Sequence, residues 1–276
     1  MATEQNREHW NRSGESWVAF QRTFDCMLEP IGARLLDHAA LTGGQRVLDV
    51  GCGYGTTTLA IAKLGAQVHG VDISTPMVEA ACSRVPQATF EVTDAQTEPL
   101  GGPYDAVVSR FGVMFFDDPV AAFTNIAGST APGGRLTFVC WNDQARSDAV
   151  WAGGEVLRAA LPSPSPPLHP HAPGPFAFAD PERTREILSS AGWTDVAIVG
   201  QELPCAIGWP DSDGVEERLE LVLASEAGQL MREQMAVEDQ PAVIEAARAS
   251  LRGRVANGAV RLHASIWLVS ATCQQR

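Results

Sequence analysis

Three glycines at alternate positions, Gly51, Gly53 and Gly55 in VLDVGCGYGTTTLA, stand between a β-type run and a helix-type run. Glycine is needed in such a strand-to-helix turn because the chain must reverse sharply and lay its backbone against a ligand. Alone, the pattern serves several nucleotide sites, those for NAD and FAD among them. The acidic neighbours narrow the choice. Asp49 lies two residues before Gly51, at the carboxyl end of the first predicted strand, where its carboxylate is expected to point into the ligand crevice. A pyrophosphate would meet that anion, and two unit charges about 4 Å apart interact by roughly 4 kcal/mol at an effective dielectric near 20. A ligand with an ammonium group suits the position. Asp72, twenty-one residues beyond Gly51 in GVDIS, ends a second predicted strand, where an acid accepts hydrogen bonds from ribose hydroxyls. No basic residue beside it invites a 2′-phosphate.

Such a turn requires a scaffold of alternating elements. QRVLDV, TTLAIAKL, AQVHGVDI, PMVEAACSRV and ATFEV read as βαβαβ, hence as a parallel sheet covered by helices. Thr75–Pro76 and Asp118–Pro119 each offer an N-cap side chain followed by a proline whose missing N–H costs nothing there. Further strands at 104–109, 135–141, 195–203 and 259–271 bring the expected total to seven. The predicted fold is therefore α/β, a seven-stranded, mostly parallel, doubly wound sheet with N-terminal helices and an inserted helical cap. Residues 1–40, with Trp10, Trp17, Phe20, Phe24 and Leu28 on one side, are expected to form an N-terminal helical lid. Residues 41–211 form the α/β core, interrupted by a loop at 162–176 too rich in proline for helix or ladder. Residues 212–256, with Leu219, Val222, Leu223, Leu230 and Met231, then Val243, Ile244, Ala247 and Leu251 at helical spacing, form the cap, and 257–276 the final strand.

Composition excludes several classes. The 276 residues carry 33 acidic and 20 basic side chains, a formal charge of -13, and Lys63 is the sole lysine. This balance argues against a protein that tracks nucleic-acid phosphates or binds an anionic membrane surface. No apolar run reaches transmembrane length and the polar N-terminus shows no signal peptide, so a cytoplasmic protein is expected. Six cysteines without a CxxC pair read as reduced thiols, neither a zinc ribbon nor a disulfide framework, and no metal is expected.

Ammonium, ribose and base without phosphate together describe S-adenosylmethionine (SAM). With TDA (93–95), PYDAVVS (103–109) and APGGRL (131–136), the glycine segment and GVDIS form a series that resembles the class I SAM-dependent methyltransferases from about residue 45 to 141. The whole chain is similar to the small-molecule members of ubiquinone/menaquinone-biosynthesis type and their natural-product relatives. The resemblance implies a Rossmann-like fold, SAM as cofactor and S-adenosylhomocysteine (SAH) as product. It places the methionine moiety at Asp49, Gly51 and Gly53, the ribose at Asp72 with Ile73 against adenine, and adenine N6 near Asp94 and Ala95. The segment SRFGVMFF, which usually faces the methionine end and the acceptor, nominates Arg110 and Phe111.

Methyl transfer is an in-line displacement, so alignment and exclusion of water are the protein's main tasks, and a base is needed only if the accepting atom must lose a proton. His263, in the final strand beside the cap, is the candidate base. His69 reads as packed within a strand, His9 and His38 as surface residues, and His169 and His171 as solvent-exposed and too few to hold a metal. Trp17, Phe20, Phe111 and Trp141 are nominated for acceptor contact, whereas Phe24 and Phe116 read as core. A largely apolar pocket under a helical lid implies a small hydrophobic acceptor of aromatic, polyketide, terpenoid or quinone character. Methylation of its O, N or C atom is the leading reading. A SAM-binding cyclase or rearrangement enzyme on the same fold is the alternative, and Thr56 in the sixth place of the glycine pattern disfavours an NAD-dependent oxidoreductase. Apolar N-terminal helices of this kind also suit exchange between subunits in a homodimer.

Overall fold

A computed structural model of the chain describes residues 2–163 and 172–274. The middle of the proline-rich stretch, with His169 and His171, lies outside the described residues. Two helices open the chain, α1 (Ala2–Ala19) and α2 (Gln21–Ala39), separated by a turn at Phe20. The alternating segment follows as β1 (Arg46–Val50), α3 (Thr56–Lys63), β2 (Gln67–Asp72), α4 (Thr75–Arg84), β3 (Thr89–Val92) and β4 (Tyr104–Arg110). Then come α5 (Pro119–Gly128), β5 (Thr130–Trp141), the short helices α6 (Asp148–Trp151) and α7 (Gly154–Ala159), α8 (Pro181–Ser190) and β6 (Trp193–Ile207). Three helices, α9 (Val215–Ala224), α10 (Glu226–Gln234) and α11 (Gln240–Arg252), precede a two-residue strand β7 (Val255–Ala256) and the closing strand β8 (Ala259–Cys273).

The sheet runs β3-β2-β1-β4-β5-β8-β6, with β7 paired to β8 outside this path, so eight strands stand where seven are predicted. The extra one is a hairpin stub, too short to carry a hydrophobic period. Strands β1 to β5 pair in parallel, and β8 inserts antiparallel between β5 and β6. Helices on both faces explain why β1 and β4 read as nearly continuous apolar runs, for Val47, Leu48, Val107 and Val108 are fully buried. Aromatic packing fills the space between α5, β5 and the turn before α8, where Phe123, Phe138 and Phe178 meet with ring centroids 5.6–6.0 Å apart.

Two local expectations are revised and a third is met. The stretch 212–256, read as two runs of helical spacing, holds three helices, because Ser225 adopts an extended conformation between α9 and α10. Thr75 does not cap α4; its own N–H is received by Asn11 Oδ1 of α1 at 2.9 Å, and the Ser74 N–H by Asp72 Oδ1 at 2.9 Å. Asp118, by contrast, caps α5 by accepting from the Ala121 N–H at 3.0 Å. Among the described residues, no helix is long and apolar enough to cross a membrane.

Candidate functional site

The carboxyl ends of β1, β2, β4 and β5 open onto one large cavity, the position at which open α/β sheets receive ligands. After β1 the chain turns through Gly51, Gly53 and Gly55, all at positive φ (66°, 54° and 85°). Val71 O, at the end of β2, receives the N–H groups of Gly51 at 2.9 Å and Cys52 at 3.0 Å. Gly112 presses on this turn from the end of β4. A Cβ on Gly51 would lie 2.6 Å from the Gly112 Cα, and one on Gly112 would lie 2.7 Å from Val50 O. The Ser109 hydroxyl joins the two loops, donating to Val50 O at 2.7 Å and accepting from the Gly112 N–H at 3.2 Å. Sequence reading did not single out Gly112, because nothing local shows that two backbones must meet there. Gly51→Ala is expected to destabilise the protein by about 2 kcal/mol, since a Cβ at positive φ costs roughly 1–2 kcal/mol before the steric clash is added. An unchanged urea midpoint would show that the loops do not pack this closely.

The three acids behave differently. Asp72 is on the cavity wall, where Oδ2 accepts the Gly53 N–H at 2.9 Å and Oδ1 the Ser74 N–H at 2.9 Å. Burial raises its pKa, and the backbone N–H groups of Ser74, Gly53 and Ile73 oppose that rise. Each oxygen retains a lone pair for a further donor. Asp94 is also on the wall, but its oxygens already accept the Gln96 N–H at 2.9 Å and the Thr97 hydroxyl at 3.0 Å, so it also serves as the cap of its own turn.

Asp49 corrects the expectation that its carboxylate projects into the crevice. It is fully buried and absent from the cavity wall. Alternation along β1 turns it toward α3, where Oδ2 accepts the Thr58 hydroxyl at 2.6 Å and Oδ1 has no partner among the described residues. Burial pushes its pKa up to about 6, while the Thr58 bond and the Arg110 charge pull the other way.

Of the other nominated residues, Gly51, Gly53, Ile73, Ala95 and Arg110 line the cavity, as do Trp17, Phe20, Phe111 and Trp141. Arg110, at the end of β4, makes no ion pair among the described residues. Phe111 sits at φ +65°, rare for a residue with a side chain, and stacks on Trp141 at 4.4 Å between centroids. Trp17 stacks on Phe24 at 3.8 Å. Phe24 and Phe116 pack on the core yet also face the cavity, so their reading as core alone is incomplete. The cavity measures about 1960 Å³, roughly twice the upper end for a single small-ligand pocket, and therefore has room for two ligands. Thr93 Oγ1 and Trp151 Nε1, both on wall residues, lack hydrogen-bond partners among the described residues.

His263 is not at the site. In β8 its neighbours Leu262 and Ala264 are buried, so alternation turns the imidazole outward, where Nδ1 lies 3.3 Å from Glu202 Oε2. The candidate base is thereby withdrawn. His69 is bound to Thr89 Oγ1 at 2.9 Å within the sheet, and His9 reaches only the cavity mouth from α1. Arg218 of α9, not anticipated from sequence, is 1% exposed and lines the same cavity. The signal was present, since its spacing from Val215, Leu219 and Val222 puts a charge on the apolar face of α9.

Comparison with known proteins gives four matches. Residues 47–134 match the family described as a methyltransferase domain. Aklanonic acid methyltransferase DauC of Streptomyces sp. (strain C5) is 37% identical over 118 residues, 40% of this chain and 54% of that protein. A demethylmenaquinone methyltransferase of Renibacterium salmoninarum is 29% identical over 171 residues, 59% of this chain and 72% of the relative. With DauC, then, the chain shares only about half of the relative's length. In fold, it resembles Haemonchus contortus phosphoethanolamine N-methyltransferase 2, solved with S-adenosyl-L-methionine, at a TM-score of 0.52 and 20% identity over 89% of this chain and 53% of that one.

Proposed function

We propose, from the premise that residues 47–134 are a methyltransferase domain of the class I SAM-dependent kind, that the chain methylates a small, largely apolar acceptor. The observation that carries this reading is Asp72, a carboxylate held on the cavity wall by the Gly53 and Ser74 N–H groups, with no cation in ion-pair range among the described residues. Such a group accepts from ribose hydroxyls and repels phosphate.

The site fits SAM. The glycine turn leaves room for a ligand against the backbone, Asp72 suits the ribose, and Ile73 and Ala95 offer apolar surface to adenine. Thr93 Oγ1, unpartnered on the adenosine side, is a donor and acceptor for the base. Arg110 supplies a guanidinium for the ligand's carboxylate. Asp49 acts through its charge from behind the loop rather than by contact. When bound, SAM supplies a methyl group activated by its sulfonium centre and leaves as SAH.

The chain's own part is alignment and exclusion of water. Trp17 and Phe20, from the N-terminal segment, and Phe111 and Trp141, from the sheet edge, face the acceptor, with α1, α9 and α10 as the lid. Among the described residues the one histidine on the cavity wall is His9, exposed on α1, so an acceptor that arrives deprotonated or needs no deprotonation agrees best with the site. The relatives named for aklanonic acid and demethylmenaquinone support an acceptor of polyketide or quinone character.

Calorimetry with SAM and SAH tests the proposal. Micromolar binding is expected, and absence of binding by folded protein at high micromolar ligand would overturn it. SAM binding and acceptor conversion without SAH release would favour the cyclase reading instead. Trp17→Ala is expected to raise an aromatic acceptor's KM about fivefold, in keeping with about 1 kcal/mol for a stacked pair, with SAM affinity changed less than twofold. Steady-state kinetics and calorimetry together read that split.

A further inference from the structure

Arg218 is a buried cation that the proposed reaction leaves without a task. Its Nε donates to Ala152 O at 3.0 Å and Nη2 to Val150 O at 3.2 Å, at the end of α6, while Nη1 reaches only the Met27 thioether at 3.7 Å. A guanidinium has five N–H donors, and thioether sulfur is a weak acceptor. Two donors therefore have no described acceptor and a third has a poor one. Among the described residues, no carboxylate lies within ion-pair distance of Arg218. Asp148, the acid at the start of α6, is committed to Arg254, and Glu155 acts only at longer range. Burial lowers the pKa of Arg218 to about 10, which leaves it charged at neutral pH.

Arg218, Met27 and Trp151 all line the main cavity. Trp151 lies between the two residues whose carbonyls Arg218 holds, and its Nε1 has no partner among the described residues. This end of the cavity thus gathers strong donors, while the wall carboxylate that acts on Arg218, Glu155, stands outside ion-pair distance. A purely structural role, tying α9 to the end of α6, accounts for two of the bonds and leaves the remaining donors, and the want of a direct ion-pair partner among the described residues, unexplained.

We infer that Arg218 is a specificity-determining residue that receives a carboxylate borne by the acceptor. The inference rests on the methyltransferase reading of the cavity and deepens it by naming the chemical class of the acceptor. A carboxylate accepts two parallel N–H bonds from a guanidinium and supplies the counter-charge. The aromatic residues that line the same cavity then receive the apolar body of that molecule.

The probes are anthraquinone-2-carboxylate and anthraquinone-2-carboxamide, equal in shape and different in charge. Their binding is followed by quenching of cavity tryptophan fluorescence, with and without saturating SAH, after SAH binding itself has been measured by calorimetry. The carboxylate is expected to bind the wild-type protein at least tenfold tighter than the amide. Arg218→Gln is expected to reduce that ratio below twofold with SAH affinity unchanged, and Arg218→Lys to retain part of it. Equal affinities in the wild type, or a preference that survives Arg218→Gln, would overturn the inference. If Arg218→Gln does not fold, Arg218→Lys decides: a reduced ratio with SAH affinity unchanged supports Arg218, and an undiminished ratio assigns the carboxylate to another of the cavity arginines, Arg12, Arg110 or Arg158. Failure of SAH to bind would overturn the methyltransferase reading, while the probe pair on the free protein would still decide on Arg218.

Discussion

Asp72→Ala is expected to weaken SAM binding by about 3 kcal/mol, more than a hundredfold, because bonds to a charged acceptor contribute about 1.5–3 kcal/mol each and this carboxylate serves several donors. The side chain is an acceptor for the proposed ribose and also the anchor of the glycine turn through Gly53 N–H and of the α4 start through Ser74 N–H. Its removal therefore takes away a ligand contact and loosens the turn around it. Asp72→Asn should lose less, since one amide oxygen can still accept. Calorimetry with SAM reads the binding loss, and thermal melting without ligand reads the loosened turn separately. An affinity equal to that of the wild type would mean that this acid holds no part of the ligand.

Asp49→Asn should make the cofactor-free protein more stable at pH 8 while weakening its hold on SAM. The carboxyl has a pKa near 6 in the fold and 3.8 as its ordinary value, chiefly because burial disfavours its charged form. Folding thus takes up a proton between those two values, so stability falls as pH rises from about 4 to about 6 and stays lowered above. A gap of about two pH units corresponds to about 3 kcal/mol of penalty at neutral pH. Asparagine carries no such penalty and keeps an oxygen for the Thr58 hydroxyl. Urea unfolding between pH 4 and 8 should accordingly show a falling stability for the wild type and a flatter profile for the variant. The ionised group favours a cationic ligand nearby, so wild-type SAM affinity should drop as pH falls through about 6, and the variant should bind about tenfold more weakly at pH 8. A variant less stable than the wild type at every pH would rule out this account of the buried acid.

The contrast between these two acids shows where sequence reading reaches its limit. Both end parallel strands beside the same turn, and both read as groups in the ligand crevice. Asp72 meets that expectation because it is the last residue of β2, where the chain is already turning toward the cavity. Asp49 is followed by Val50 within β1, and the pleat sends its side chain to the α3 face. A one-residue difference in position along a strand reverses the direction of a side chain. The same rule removed His263, whose neighbours Leu262 and Ala264 take the inward positions.

From the sequence alone came the α/β alternation, the glycine turn, the ribose acid and the resemblance that relates them, because hydrophobic period, turn chemistry and acid spacing are local properties of the chain. Tertiary structure decided what depends on non-local approach. The contact of Gly51 with Gly112, the insertion of β8 between β5 and β6, and the meeting of Arg218 with the carbonyls of Val150 and Ala152 join residues from 53 to more than 120 positions apart. Which charges lose water, and which donors are left without acceptors, is settled only when such distant elements close on one another. The chemistry of the cofactor end was therefore written locally, whereas the chemistry of the acceptor end arises from packing.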